Sequence, residues 1–135
     1  MSQEIGSQLP PPLRFEFGAH PSGGLPKAIL LLTMDDDGAP RVAILGAPEM
    51  KAHDGSHIHF VISTRSSTCA NLRRAKKAAL WCVLDAAAYC IRGEVAATPT
   101  PSDDEFCTFE LTVSSVLMDF QTDSPMVSGP TYKRM

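Results

Sequence analysis

Six apolar segments of strand length, separated by turn signals, constrain the fold of this chain more than any other feature. They occupy residues 27–34, 39–48, 57–63, 79–84, 89–98 and 106–120. The third segment alternates, with apolar side chains at 58, 60 and 62 on one face and histidines on the other, which is the period of a strand. Between the first two segments, Gly38 can take the positive φ of a tight turn. Hairpin-like succession predicts a closed or partly closed antiparallel barrel.

One helix-like segment interrupts the strands after the third. Ser66 or Ser67 can cap its first turn by accepting a bond from a free backbone N–H. An apolar stripe follows at spacings of 3, 3 and 4, formed by Cys69, Leu72, Ala75 and Ala79. This spacing predicts a short amphipathic helix between the third and fourth strands.

The chain has 135 residues, which fits one compact domain. Residues 1–24 are predicted to be an N-terminal arm, because LPPPL favours an extended path, either disordered or packed on a partner. Residues 25–120 are predicted to form the barrel. Residues 121–135 are predicted to be a tail that packs on the barrel or on a partner. A small domain gains buried area by homodimerisation, so a dimer is expected.

Composition excludes several classes of function. The net charge of −3 argues against generic nucleic-acid binding. The longest apolar run is too short to span a bilayer, and the N-terminus lacks a basic, apolar leader, so no membrane association is expected. The four cysteines form no C-x-x-C pair and have apolar neighbours. Reduced, buried thiols and a cytoplasmic location are therefore expected.

The basic residues are concentrated in one place. Residues 62–84 carry five of the twelve Lys and Arg residues, with no acidic residue between Gly55 and Leu84. A strand that ends in hydroxyl side chains and an arginine, followed by a helix start, has the ingredients of a phosphate site. The alternative is a capped surface helix whose cations only complement the negative end of its dipole.

Three stretches, DDDGAPRVAILG, HFVISTRSSTCANLRRAKKAALWCVLD and YCIRGEV, resemble the pyridoxamine 5′-phosphate oxidase-like family. The resemblance covers residues 27–118, and its most specific matches are Asn71-Leu72 and Gly93. It implies a mainly β fold, a six-stranded antiparallel split barrel of the FMN-binding type. It also implies a homodimer with FMN in a cleft between subunits, and a flavin-dependent oxidoreductase acting on a small-molecule substrate.

In that family, the loop and helix start corresponding to residues 63–68 hold the phosphate of FMN, assisted by basic residues from neighbouring strands. The resemblance therefore implies a set of cofactor-binding residues: Arg41, Ser63, Thr64, Arg65, Ser66, Ser67, Thr68 and Asn71. Within this set, Arg41 matches the strand arginine loosely. Asn71 is expected to brace the loop rather than touch the ligand.

Two departures from the family pattern keep alternatives open. Thr68 stands where the family usually has a lysine, which weakens the grip on a phosphate. The true oxidases also have a longer C-terminal part, so their own activity is not expected here. The alternatives are a non-catalytic dimeric binding module without flavin, and a relative that binds haem or a deazaflavin. The sequence identifies no catalytic residue.

Three histidines and one aspartate fall within seven residues: His53, Asp54, His57 and His59. Two imidazoles on one strand face can meet a metal ion, but no further ligand stands at a convincing spacing. Exposed strand and turn residues are therefore predicted rather than a metal site. Trp81 lies in a near-continuous apolar run and is predicted to pack in the core.

Overall fold

The computed structural model describes residues 2–17, 28–46, 50–98, 105–121 and 129. Its strands are β1 (Ser2–Gly6), β2 (Ala28–Met34), β3 (Pro40–Gly46), β4 (Met50–Ala52), β5 (His57–Ser63), β6 (Lys77–Leu84), β7 (Ala87–Ala97) and β8 (Phe106–Asp119), and its helices are α1 (Pro11–Glu16) and α2 (Ser67–Ala75). Every strand pair is antiparallel. The strand order is β3-β2-β6-β7-β8-β5-β4, and β1 pairs with the second half of β8.

This architecture confirms the predicted mainly β, antiparallel split barrel, with one helix between the third and fourth predicted strands. The predicted count of six strands is wrong, because the described residues form eight. The two additional strands, β1 and β4, have no apolar alternation that would reveal them. All five residues of β1 are exposed, and β4 contains only three residues.

The core lies on the concave side of the curled sheet. Alternate residues of the strands point inward, and the most deeply buried of them have no exposed surface: Leu31, Ile58, Leu80, Ile91, Leu111 and Val116. The helix α2 adds Cys69 and Leu72 to this cluster. Burial of apolar area on this scale is the main force that holds such a small sheet in one curvature.

The N-terminal segment contributes to this core in the described range. The proline-rich stretch forms helix α1 instead of the predicted extended path, because proline is tolerated in a first helical turn. Leu13 of this helix is buried, as are Leu9 and Phe17 on either side of it. The amide of Leu9 donates to the carbonyl of Gly55 (2.7 Å), which ties the segment to the β4–β5 turn.

The predicted tail is described only at Gln121 and Gly129. A Cβ on Gly129 would lie 3.0 Å from the side chain of Val83, so the chain passes over β6 at this point. The division of the chain at residues 24 and 120 stays a prediction. No helix among the described residues is long and apolar enough to cross a membrane.

Strand β8 bends in its middle, as predicted near Ser114-Ser115. Its pairing with β7 shifts register between Arg92 and Gly93, so β8 has one extra residue at this point. A bulge of this kind increases local twist. The bend lets β8 pair with β5 along its first half and with β1 along its second half.

Candidate cofactor site

The turn between β5 and α2 is held by its own polar groups. The amide of Thr64 donates to the carbonyl of Glu105 (2.8 Å), which fastens the turn to the start of β8. The hydroxyl of Ser66 donates to the carbonyl of Ser63 (2.7 Å) and accepts from the amide of Cys69 (3.0 Å). Ser66 is therefore the helix N-cap, as predicted, and its hydroxyl is committed to that role.

Other donors of this turn remain available. The side chains of Arg65 and Ser67 are exposed, and within the described chain the Arg65 guanidinium forms no hydrogen bond or ion pair. The amides of Ser67 and Thr68 have no acceptor among the described residues, as expected for a first helical turn. The hydroxyl of Thr64 is buried without a hydrogen-bond partner. An exposed cation, free amides and an orphaned hydroxyl thus lie within one short segment.

Thr68, which the resemblance aligns with a lysine, supplies no charge at the helix start. Its residue is only 5% exposed, and it lies on the buried side of the first turn of α2. A neutral, buried side chain cannot supply the missing charge, although its backbone amide still points out of the helix start. Any anion at this turn therefore depends on Arg65 for charge within the turn itself.

The basic residues later in α2 have structural contacts. Arg73 donates to the sulfur of Cys107 on β8 (3.5 Å). Arg74 donates to the carbonyl of Met34 and to the side-chain oxygen of Asn71 (3.1 Å). These contacts fasten the helix to both neighbouring strands. They explain part of the basic cluster without any ligand.

Asp35, just after β2, is the centre of a polar network that the sequence did not predict. Its Oδ1 accepts from Arg41 Nε (2.7 Å) and from Asn71 Nδ2 (2.8 Å), and its Oδ2 accepts from the Arg41 NH2 group (3.1 Å). Asn71 is 3% exposed and also donates to the hydroxyl of Thr33 (3.1 Å). The hydrogen bond from Arg41, followed by that from Asn71, lowers the pKa of Asp35 below its usual value. The carboxylate is therefore ionised at neutral pH.

The structure brings the predicted site residues into two groups. Residues 63–68 form the turn and the helix start. Arg41 and Asn71 both donate hydrogen bonds to Asp35. Of these three residues, Asn71 lies on α2, beyond the helix start. Asn71 braces the end of the β2–β3 hairpin, and Arg41 is already paired. The sequence did not predict this network, because Asp35 and Asn71 are far apart in the chain and neither residue stands out in its local pattern.

An apolar region lies on the convex side of the sheet where β2, β3 and β6 adjoin. Met34, Val42 and Ile44 are 50%, 55% and 59% exposed on β2 and β3. Leu30 pairs with Ile44 on one side and with the half-buried Trp81 on the other. Trp81 therefore lies on this outer face, which corrects the prediction that it packs in the core. Near-continuous apolar runs such as AILLL and ALWC are typical of strands buried on both faces.

The convex side of β5 and β8 carries polar side chains along its middle, whereas Phe106 at the start of β8 is 49% exposed on the same face. His59 Nε2 lies 2.7 Å from a carboxylate oxygen of Glu110, its cross-strand partner. His57 Nδ1 lies 3.0 Å from both oxygens of Asp54, and the rings of His53 and His59 are 3.9 Å apart. Within the described residues, no group of three ligands is arranged to hold a metal ion. The histidines belong to a hydrated surface.

The cysteines are all free thiols, and three of the four are buried. Burial raises the pKa of Cys69 and of Cys90 above the usual value for a thiol. A raised pKa keeps both thiols protonated at neutral pH and makes them poor nucleophiles. Neither is suited to covalent catalysis.

Comparison with known proteins identifies the fold. No protein-family model matches the sequence. No curated protein sequence matches it significantly. Solved structures do match. A candidate pyridoxamine 5′-phosphate oxidase from Lactobacillus delbrueckii superposes with a TM-score of 0.65 at 19% identity, over 84% of this chain and 98% of that one.

Two further structures have the same architecture. An F420 reductase superposes with a TM-score of 0.54 at 18% identity, over 72% of this chain and 98% of that one. HutZ, a haem storage protein from Vibrio cholerae, gives 0.55 at 14% identity, over 67% and 84%. The chain therefore has the split-barrel fold shared by pyridoxamine 5′-phosphate oxidase-like proteins and F420 reductase. Identities this low establish the fold and leave the ligand open.

Proposed function

We propose that the protein is a homodimeric, FMN-binding split barrel that acts as a flavin-dependent oxidoreductase on a small-molecule substrate in the cytoplasm. The observation that carries this proposal is the set of unused donors between β5 and α2. Within the part of the chain that the structure describes, Arg65 has no ion-pair partner, the amides of Ser67 and Thr68 have no acceptor, and the Thr64 hydroxyl is buried without a partner. These groups match the needs of a terminal phosphate.

The residues present fit the phosphate end of FMN. Arg65 supplies charge, the helix start supplies amides, and Ser63 and Ser67 add exposed hydroxyls. Ser66 supports the site by capping the helix rather than by touching the ligand. When bound, FMN would supply the electron-transfer chemistry, so the protein needs only to bind, orient and shield it.

The apolar convex face supports the dimer. Exposed apolar side chains on β2 and β3 continue onto β6 through Trp81, whereas the middle of the convex face of β5 and β8 carries His59 and Glu110. A face of this kind on a soluble protein marks an interaction surface. In a homodimer with two-fold symmetry it would pack against its own copy.

Titration of the purified protein with FMN tests the proposal. We expect binding to quench the fluorescence of the flavin and to give a yellow complex. Arg65→Ala should weaken FMN binding at least tenfold, because it removes the one unpaired cation of the turn. Lys77→Ala, which removes an exposed cation beyond the other end of α2, should leave the dissociation constant within about twofold. Equal affinities for Arg65→Ala and the wild type would contradict the proposed phosphate site.

One observation favours a second candidate, a dimeric binding module without flavin. Thr68 is neutral and buried, and Arg41 is paired with Asp35, so the site has less free positive charge than its relatives' pattern implies. This candidate predicts a folded dimer that takes up no FMN. A haem-binding role is less well supported, because His57 and His59 are engaged with carboxylates. It predicts a Soret band after haem addition that is lost in His57→Ala.

A further inference from the structure

The pairing of Arg41 with Asp35 bears on which ligands the proposed site accepts. We propose that Asp35 limits the affinity of this site for a doubly charged phosphate, because it holds Arg41 in an ion pair about one and a half helix turns from the helix start and so withholds a second cation from the site. Asp35 thereby selects against the more highly charged anions. This inference rests on the proposed binding of a flavin phosphate and specifies the charge that the site prefers.

The carboxylate is fixed, whereas the guanidinium can exchange partners. Asp35 is anchored by the buried amide of Asn71 (2.8 Å), whose own oxygen accepts from Arg74 (3.1 Å). The Asp35 side chain is 24% exposed and that of Arg41 is 45% exposed. Water therefore reaches the pair, and the long arginine side chain is the partner that can move.

Arg41 has unused hydrogen-bond donors, but its positive charge is already paired with the negative charge of Asp35. Its contact with Asp35 uses the Nε–H and one N–H of the NH2 group, at 2.7 and 3.1 Å. A guanidinium has five such donors, so three remain. Asn71 follows Ser66 by about one and a half turns of helix, roughly 7.5 Å along the axis. To contact an anion at the helix start, Arg41 would have to leave Asp35.

Asp35→Asn tests the inference, because it preserves shape and an acceptor oxygen for Asn71 while it removes the charge. We expect the dissociation constant for FMN to fall about two- to fivefold, the range that one additional surface ion pair provides. The affinity for riboflavin, which has no phosphate, should not change. The gain should also shrink as salt is added, since the new contact is ionic.

Two further variants distinguish the effect of the Asp35–Arg41 ion pair from the effect of removing any negative charge nearby. Asp37→Asn removes an exposed carboxylate from the same turn that acts on Arg41 only through charge, without a hydrogen bond to it, and Asp37 accepts a bond from the amide of Ala39 (2.9 Å). It should leave FMN affinity within about twofold. Arg41→Ala in the wild type should weaken FMN binding less than threefold, whereas in the Asp35→Asn background it should abolish the gain.

The results for Asp35→Asn distinguish failure of this inference from failure of the proposed function. Equal or weaker FMN binding by Asp35→Asn, or an equal gain for riboflavin, would overturn the inference and leave the proposed function standing. Absence of FMN binding in both the wild type and Asp35→Asn would overturn the two together. Should Asp35→Asn not fold, Arg41→Ala alone decides, because a tenfold loss of affinity in the wild-type background would show that Arg41 is already free to bind.

Discussion

Gly93 lies at the bulge in the β7–β8 pairing, where the backbone of β8 comes very close to β7. A Cβ at this position would be 2.2 Å from the carbonyl oxygen of Thr112, a backbone atom that the sheet holds in place. We expect Gly93→Ala to lower the free energy of unfolding by about 3 kcal/mol, since the strands must separate to admit one methyl group. Urea unfolding of the two proteins measures the difference.

Gly55→Ala is the matched control for this change. A Cβ there would meet only the flexible side chain of Gln8, at 3.4 Å. Its cost should stay below about 1 kcal/mol. Similar losses of stability for the two variants would show that the close approach at Gly93 relaxes easily.

Single residues differ in how far the sequence can predict their roles. The capping role of Ser66 follows from neighbours within three positions, so the local pattern was sufficient. The contacts of Arg73 with Cys107 and of Asp35 with Asn71 join residues more than thirty positions apart. No local periodicity encodes such a pairing. For that reason Arg41 was predicted as a ligand without its competing carboxylate.

At the scale of elements, the β6–β7 hairpin has an unfavourable turn. Asp85 and Ala86 both take positive φ, 50° and 69°, which two-residue hairpin turns of this hand require. This conformation is unfavourable for alanine, because the alanine Cβ crowds the following carbonyl oxygen. We expect Ala86→Gly to raise the free energy of unfolding by about 0.5–1 kcal/mol, after the entropy that glycine adds to the unfolded chain is subtracted.

Thermal or urea unfolding measures this gain. Ala96→Gly provides the control, because Ala96 is exposed within β7, where glycine only weakens a strand. The control should lose stability where Ala86→Gly gains it. Loss of stability in both variants would mean that the turn bears no strain.

The elements recovered from the sequence are those with strong periodicity. The six predicted segments correspond to β2, β3, β5, β6, β7 and β8, and the apolar stripe marks α2 as far as Ala75. The prediction that Ala79 continues this stripe is wrong, because α2 ends at Ala75 and Ala79 lies in β6. Helix α1 was missed because its prolines occupy the first turn, and its burial depends on Leu13 meeting the distant barrel. Strand β4 was taken as part of a turn, since its three residues show no repeat.

At the scale of the whole molecule, exposed apolar side chains on the convex side of the sheet concentrate on β2 and β3, with Phe106 on β8 as a separate exposed side chain. Val42 and Ile44 are more than half exposed on the edge strand β3, and their neighbours on β2 and β6 are also apolar. Water contact at these side chains costs free energy that a second copy would recover at about 25 cal/mol per Å² buried. The apolar runs of the sequence are consistent with strands buried on both faces. They do not show that a second protein molecule buries the convex face.

Ile44→Lys tests this arrangement of the molecule. Because Ile44 is 59% exposed in the single chain, the substitution should leave folding of the protomer nearly intact. In a dimer it would bury an unpaired charge, so we expect a shift to monomer in sedimentation velocity, accompanied by loss of FMN binding if the cofactor lies between subunits. Thr112→Lys places the same charge on the polar middle of the convex face of β8 and should leave the dimer unchanged. A monomeric wild type, or a dimeric Ile44→Lys, would assign the apolar face to another partner.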